Sequence, residues 1–224
     1  MLTHYALHPK RGAQALDEIG ILAAFTGVSI HDGWASYWQY LCLHALCNVH
    51  HLRELTFLYE HQQQDWAGKM IGVLTSMNTI VKEAREAGRS QLDPELIAHW
   101  KAQYQVILQE GWQANPPDPP DATLKRGRRK QSAARNLLHR LDTQQEAVLL
   151  FLERFDVSFD NSQAERDIRM LKVQQKVSGG FRSLLGAQAF CRIRGYLSTL
   201  RKQGAHLLTA LELALAGHPV SPTF

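Results

Sequence analysis

Apolar residues recur at helical spacing along most of the chain and predict a largely helical protein. In the first such stretch, Leu16, Ile19 and Leu22 follow one another at helical intervals, and Gly27 provides a helix stop signal. Later stretches repeat the pattern over greater lengths. We predict helices over Ala13–Phe25, Trp34–Tyr59, Trp66–Ala87, Pro94–Gln109, Asn136–Phe155, Asn161–Lys176, Gly186–Lys202 and Leu207–Ala216.

Two short β-prone runs, Thr3–Leu7 and Val28–Ile30, flank the first predicted helix. Pro9 and Gly12 end the first run, and the Asp32-Gly33 turn ends the second. A strand–helix–strand order predicts a parallel pair in an α/β sheet. Because two short strands are too few for a self-sufficient sheet, we expect further strands ahead of Met1.

The composition excludes several classes of protein. Of 224 residues, 45% are hydrophobic and 21% are charged, which is typical of a globular chain rather than a disordered or collagenous one. Cys42, Cys47 and Cys191 cannot form a complete disulfide framework, which favours reduced thiols in a cytosol. No apolar run is long enough to span a membrane, and no secretory signal is recognisable. We therefore expect a cytoplasmic protein with no membrane partner.

Basic residues concentrate in the second half of the chain. Between Lys125 and Arg140 there are seven bases and no acid, and between Asn161 and Gly204 nine bases accompany two acids. This distribution favours a polyanionic partner such as nucleic acid. The alternative is a solvated basic loop followed by a solvated helical surface.

Asp32 stands between a predicted strand and a predicted helix, where parallel-sheet proteins present functional side chains. Asp-Gly is also a common turn pair, and Asp is a good helix cap, so a local structural role explains the residue equally well.

Glu165 lies early in the predicted Asn161–Lys176 helix and permits two interpretations. With Ser162 it fits a capping box. It also shares one helical stripe with Arg169, Lys172 and Lys176. That face could pair charges along the helix, or it could hold a metal ion through the carboxylate and phosphates through the bases.

Cys47 and His50 are one helical turn apart, as ligands of a metal ion would be. A structural zinc ion takes four ligands, and no second pair is evident elsewhere in the sequence. We therefore interpret Cys47 and His50 as core residues rather than zinc ligands. A helical zinc-containing interaction module stays open as a further hypothesis.

Several blocks of the sequence together resemble the transposases of the insertion sequence 66 family, in matching order and spacing over nearly the whole chain. The most specific block is Asn-x-x-Ala-Glu-Arg-x-Ile-Arg, beginning at Asn161. The blocks are His31–Tyr37, Cys47–Glu54, Asp160–Arg169, Lys172–Arg182 and Phe190–Arg194.

This resemblance implies an α/β protein with a partial RNase H-like core, a large all-helical insertion and a predominantly helical content overall. It assigns Asp32 as the second Asp of a DDE triad and Glu165 as its Glu, with two Mg²⁺ or Mn²⁺ ions in the complete enzyme. The expected domains are residues 1–54 (core strands), 55–150 (insertion with its Pro-rich and basic loop), 151–204 (core helices carrying the Glu) and 205–224 (C-terminal helix and tail).

The family's first Asp lies in an Asp-Glu-Thr-Gly-like block, and no such block precedes Thr3. We therefore expect the C-terminal part of a transposase, truncated and inactive on its own. The alternative is a non-catalytic fragment that binds DNA or associates with an intact transposase.

The expected partners are transposon-end and target DNA, together with a second copy or other insertion-sequence proteins. We also expect Asp32 and Glu165 to converge in space, because carboxylates that share metal ions must lie close together. The predicted DNA-binding residues are Lys125, Arg126, Arg128, Arg129, Lys130, Arg166, Arg169, Lys172, Lys176 and Arg182.

Overall fold

The computed structural model describes residues 1–117 and 131–223, and in these ranges the chain is predominantly helical. The strands are β1 (Val28–His31) and β2 (Leu43–Leu46). The helices are α1 (Ala13–Ile19), α2 (Asn48–Gln62), α3 (Asp65–Glu86), α4 (Pro94–Ala114), α5 (Ala133–Thr143), α6 (Gln145–Glu153), α7 (Ser162–Ser178), α8 (Leu184–Lys202) and α9 (Leu207–Leu215). Among the described residues, no helix is both long and apolar enough to cross a membrane.

The chain forms two compact units. The middle unit is Phe25–Asn161, and the terminal unit combines Met1–Ala24 with Ser162–Phe224. The buried apolar core that α2 to α6 share lies in the middle unit, where Leu74 and Leu138 are fully buried. Tyr104 of α4 is also fully buried and donates its hydroxyl proton to the Leu141 carbonyl of α5 at 2.9 Å. This bond satisfies the one polar group of a large buried ring.

Two strands of the middle unit form a parallel pair, with Val28 opposite Leu43 and His31 opposite Leu46. The prediction of a parallel pair is confirmed, and so is Val28–Ile30 as one of its strands, but the predicted partner strand is wrong. Thr3–Leu7 is not a strand in the part of the chain that the structure describes. The partner strand is β2, inside the stretch predicted to be helical from Trp34 to Tyr59. The apolar run before Asn48 pairs with β1 instead, and tertiary pairing overrides local pattern there.

Two predicted helices end earlier or divide. The first helix ends at Ile19 because Gly20 adopts the left-handed conformation, φ 76°, and its N–H bonds back to Leu16. The predicted Asn136–Phe155 helix breaks at Gln144, whose φ of −114° and ψ of 24° are not helical. The helices predicted over Trp66–Ala87 and Pro94–Gln109 are confirmed as α3 and α4.

The terminal unit is organised around α8. Four of its five buried residues, Ala187, Cys191, Gly195 and Thr199, follow every fourth position and therefore form one stripe, and the fifth is Leu200. The N-terminal segment packs on this stripe, since the Thr3 N–H donates to Thr199 Oγ1 at 2.9 Å. A Cβ at Gly195 would lie 3.2 Å from the Thr3 carbonyl oxygen, so glycine permits this close approach. Helix α7 contributes no buried residue.

Candidate active site

Asp32 directly follows β1, at the carboxyl end of the parallel pair, and is exposed. Its Oδ1 accepts a hydrogen bond from the Trp34 N–H at 3.0 Å, which closes a tight turn. Gly33 within that turn has φ 88°, a conformation that side-chain-bearing residues rarely adopt. Oδ2 of Asp32 accepts no hydrogen bond from any described residue. The turn therefore fixes the carboxylate and leaves one of its oxygens for a ligand.

Two histidines, His31 and His44, support this turn through a chain of hydrogen bonds. The Gly33 N–H lies 3.0 Å from His31 Nδ1, so that nitrogen is the acceptor. His31 Nε2 then donates to His44 Nδ1 at 3.0 Å, and His44 Nε2 donates to the Tyr40 carbonyl at 3.0 Å. His31 is buried and its ring stacks on Tyr37 at 4.6 Å. Burial, reinforced by electrostatic interaction with His44, lowers the pKa of His31 to about 4, so the His31 ring is neutral at physiological pH.

Neither His31 nor His44 was predicted from the sequence to support the candidate site. The available signal was the position of His31 at the end of a strand, immediately before the candidate carboxylate. No comparable signal identified His44, because His44 lies near His31 only when β2 pairs with β1.

Cys47 and Asn48 begin α2 at the same edge of the sheet. The Cys47 N–H donates to the His31 carbonyl at 2.8 Å, and its buried Sγ accepts from the Asn161 N–H at 3.4 Å. Burial raises the pKa of the Cys47 thiol, which favours its protonated form. The fully buried Asn48 donates from Nδ2 to the Val148 carbonyl at 2.9 Å, and its N–H donates to the Phe159 carbonyl at 3.0 Å.

Glu165 lies in the first turn of α7 and is half-buried. On the same helix Arg169, Lys172 and Lys176 are exposed, and their spacing places them along one stripe with Glu165. Glu165 belongs to the terminal unit and Asp32 to the middle unit, and their convergence stays a prediction.

The other predicted DNA-binding residues divide into two groups. Arg166 and Arg182 are exposed in the terminal unit, where Arg166 donates to Gln163 Oε1 at 2.8 Å. The second group lies outside the described residues: Lys125, Arg126, Arg128, Arg129 and Lys130.

A sequence model with the description Transposase IS66 family matches residues 1–189. No curated protein and no solved structure matches the chain.

Proposed function

Because the chain belongs to the IS66 transposase family, we propose that it is a DNA transposase catalytic region, whose complete enzyme performs metal-dependent phosphodiester cleavage and strand transfer. The observation that carries the proposal is the placement of Asp32 at the carboxyl end of a parallel strand, with one carboxylate oxygen held by a backbone N–H. Ligand sites of open parallel sheets lie at this edge. In this proposal β1 and β2 belong to an RNase H-like core, and residues 55–150 are a helical insertion.

Asp32 and Glu165 are the proposed ligands of Mg²⁺ or Mn²⁺ and supply two of the three carboxylates of a DDE site. Hard divalent cations prefer carboxylate oxygens as ligands. Asp32 Oδ2 is such an oxygen, and it accepts no hydrogen bond from a described residue. Two such ions would activate a water or hydroxyl nucleophile and stabilise the leaving oxygen. The histidine chain holds the Gly33 N–H, and the Trp34 N–H holds Oδ1 of Asp32, so the turn is ordered before a ligand binds.

DNA is the proposed substrate, which places the activity in the cytoplasm. The exposed bases Arg169, Lys172 and Lys176 share the stripe of Glu165 and would contact backbone phosphates beside the metal ions. Arg166, Arg182 and the Lys125–Lys130 cluster would add contacts that do not depend on sequence. A second copy, or another protein of the same insertion sequence, would pair the two transposon ends.

Mn²⁺ binding tests whether the two carboxylates form one site. Titration calorimetry compares the wild-type chain with Asp32→Asn, Glu165→Gln and the double variant, and Glu212→Gln, an exposed carboxylate of α9, is the matched control. Each single site variant should weaken Mn²⁺ binding at least tenfold, and the double variant should add little, because ligands of a shared ion are coupled. A shared site would be contradicted if the losses of Mn²⁺ affinity in the two single variants add up in the double variant. It would also be contradicted if those losses equal that of Glu212→Gln.

Cleavage of DNA that carries the transposon ends provides a second measurement. Glu165→Gln should abolish Mn²⁺-dependent cleavage in the complete transposase while folding and DNA binding persist. Gln still serves in a capping box, so a purely structural Glu165 predicts that cleavage survives the change.

A further inference from the structure

A cavity of about 410 Å³ opens between α7 and α8 in the terminal unit. Helix α7 contributes Arg166 and Asp167, and α8 contributes Arg194, Arg201 and Lys202. Arg194 and Arg201 are seven residues apart on α8, which places them two turns apart on the same face. Neither arginine is among the DNA-binding residues predicted from the sequence.

The floor of this cavity is held by an internal ion pair. Asp167 Oδ2 lies 2.5 Å from Lys202 Nζ, and both side chains are about 15% exposed. Lys202 also donates to Thr3 Oγ1 at 2.6 Å, and the Tyr5 hydroxyl donates to the Asp167 carbonyl oxygen at 2.7 Å. Among the described residues that line the cavity, Asp167 is the one carboxylate, and Lys202 already neutralises it.

The three guanidinium groups around the cavity therefore have no other carboxylate among the described residues that line it. Arg166 uses one N–H on Gln163, whereas no described residue accepts a hydrogen bond from the Arg194 or Arg201 side chain. Arg194 and Tyr5 both line the cavity. Clustered guanidinium groups without counterions match the charge and the fork geometry of a phosphate group.

We propose that this cavity binds a backbone phosphate of nucleic acid through Arg166, Arg194 and Arg201. The inference rests on the proposed DNA substrate but assigns a contact away from the candidate catalytic carboxylate. Glu165 does not line the cavity. At about 100° per residue, Arg166, Asp167 and Met170 lie roughly 100–200° around α7 from Glu165. The cavity therefore holds DNA at a second position, on a different face of α7 from the stripe that carries Glu165.

Fluorescence anisotropy with a labelled DNA duplex at several salt concentrations tests the site. Arg194→Gln and Arg201→Gln should each weaken binding about tenfold and reduce the slope of log K against log salt by about 0.9, the value for one lost phosphate contact. The matched control is Arg192→Gln, which makes the same charge change at an exposed position of the same helix outside this cavity. It should weaken binding less than twofold. Equal effects at Arg192 and Arg194 would overturn the proposal.

Arg194→Lys separates guanidinium recognition from charge alone. Lysine keeps the charge but cannot make the paired N–H contacts, so we expect affinity between those of the wild type and Arg194→Gln. Wild-type affinity in Arg194→Lys would contradict a guanidinium-specific site. Thermal unfolding of each variant checks the fold, which should be intact because no described residue depends on these side chains for a hydrogen bond.

Inorganic pyrophosphate distinguishes a backbone phosphate from a free anion. If Arg194→Gln abolishes pyrophosphate binding in calorimetry while leaving DNA affinity unchanged, the cavity serves a free anion and the proposal is overturned. A wild-type chain that binds no DNA would overturn both this inference and the proposed substrate. If the Arg194 and Arg201 variants bind DNA as the wild type does, while Mn²⁺ binding still depends on Glu165, this inference is overturned and the proposed function stands.

Discussion

Replacing His51 should change how the stability of the chain depends on pH. His51 is buried in α2, with 1% of its surface exposed. Asn48 uses its Nδ2 on the Val148 carbonyl, so its Oδ1 accepts from His51 Nδ1 at 3.1 Å. Burial, together with the charges of Arg140 and His50, lowers the pKa of His51 to about 3.

The size of the stability change follows from the difference between the pKa of His51 in the folded state and in the unfolded state. An unfolded histidine titrates near pH 6.5, so the unfolded chain takes up a proton below that pH while the folded His51 stays neutral. The stability contribution is therefore complete above pH 6.5 and is lost as the pH falls toward 3. Between pH 8 and pH 5 the loss is about 2 kcal/mol, because pH 5 lies roughly 1.5 units below the unfolded pKa and well above the folded one.

Urea unfolding at pH 8, 7, 6 and 5 measures this loss by comparing the wild type with His51→Gln. The variant should be less stable at pH 8, and the gap between the two proteins should narrow by about 2 kcal/mol at pH 5. Other titrating groups, including His31, are present in both proteins and cancel in the difference. His61→Gln, an exposed histidine of the same helix, is the matched control. A gap that stays constant from pH 8 to pH 5 would refute the reasoning.

Three side-chain environments lead to further predictions, each measured as the free energy of urea unfolding at neutral pH. A Cβ at Gly111 of α4 would lie 2.5 Å from Leu138 Cδ2 and 3.0 Å from the Trp66 ring, so Gly111→Ala should destabilise the protein by about 1–3 kcal/mol. Gly72→Ala on α3, where an added Cβ meets no described atom within 4 Å, should stabilise it by about 0.5–1 kcal/mol. Asp167→Ala removes the acceptor of a largely buried ion pair and should cost about 1.5–3 kcal/mol. Asp156→Ala breaks an exposed pair and should change little, and equal losses at the two aspartates would contradict this.

Local pattern in the sequence was sufficient for helices α3 and α4, and it named the candidate residues, whose shared site stays a prediction. Helix α3 begins within one residue of its predicted start, because its hydrogen bonds join residues four apart and its apolar face is read directly from their spacing. The turn at Asp32 was likewise visible, since Asp-Gly specifies a turn by itself. The family followed from motif blocks, and the match over residues 1–189 confirms it.

Only the tertiary structure decided which segments pair. A strand is stabilised by hydrogen bonds to a distant segment, so the apolar run Leu43–Leu46 could not be distinguished from helix until β1 lay beside it. The His31–His44 contact depends on that same pairing. The cavity between α7 and α8 brings Arg166 near Arg194 and Arg201, across about thirty residues of sequence. Side chains so far apart in the chain meet through helix packing, which no local periodicity encodes.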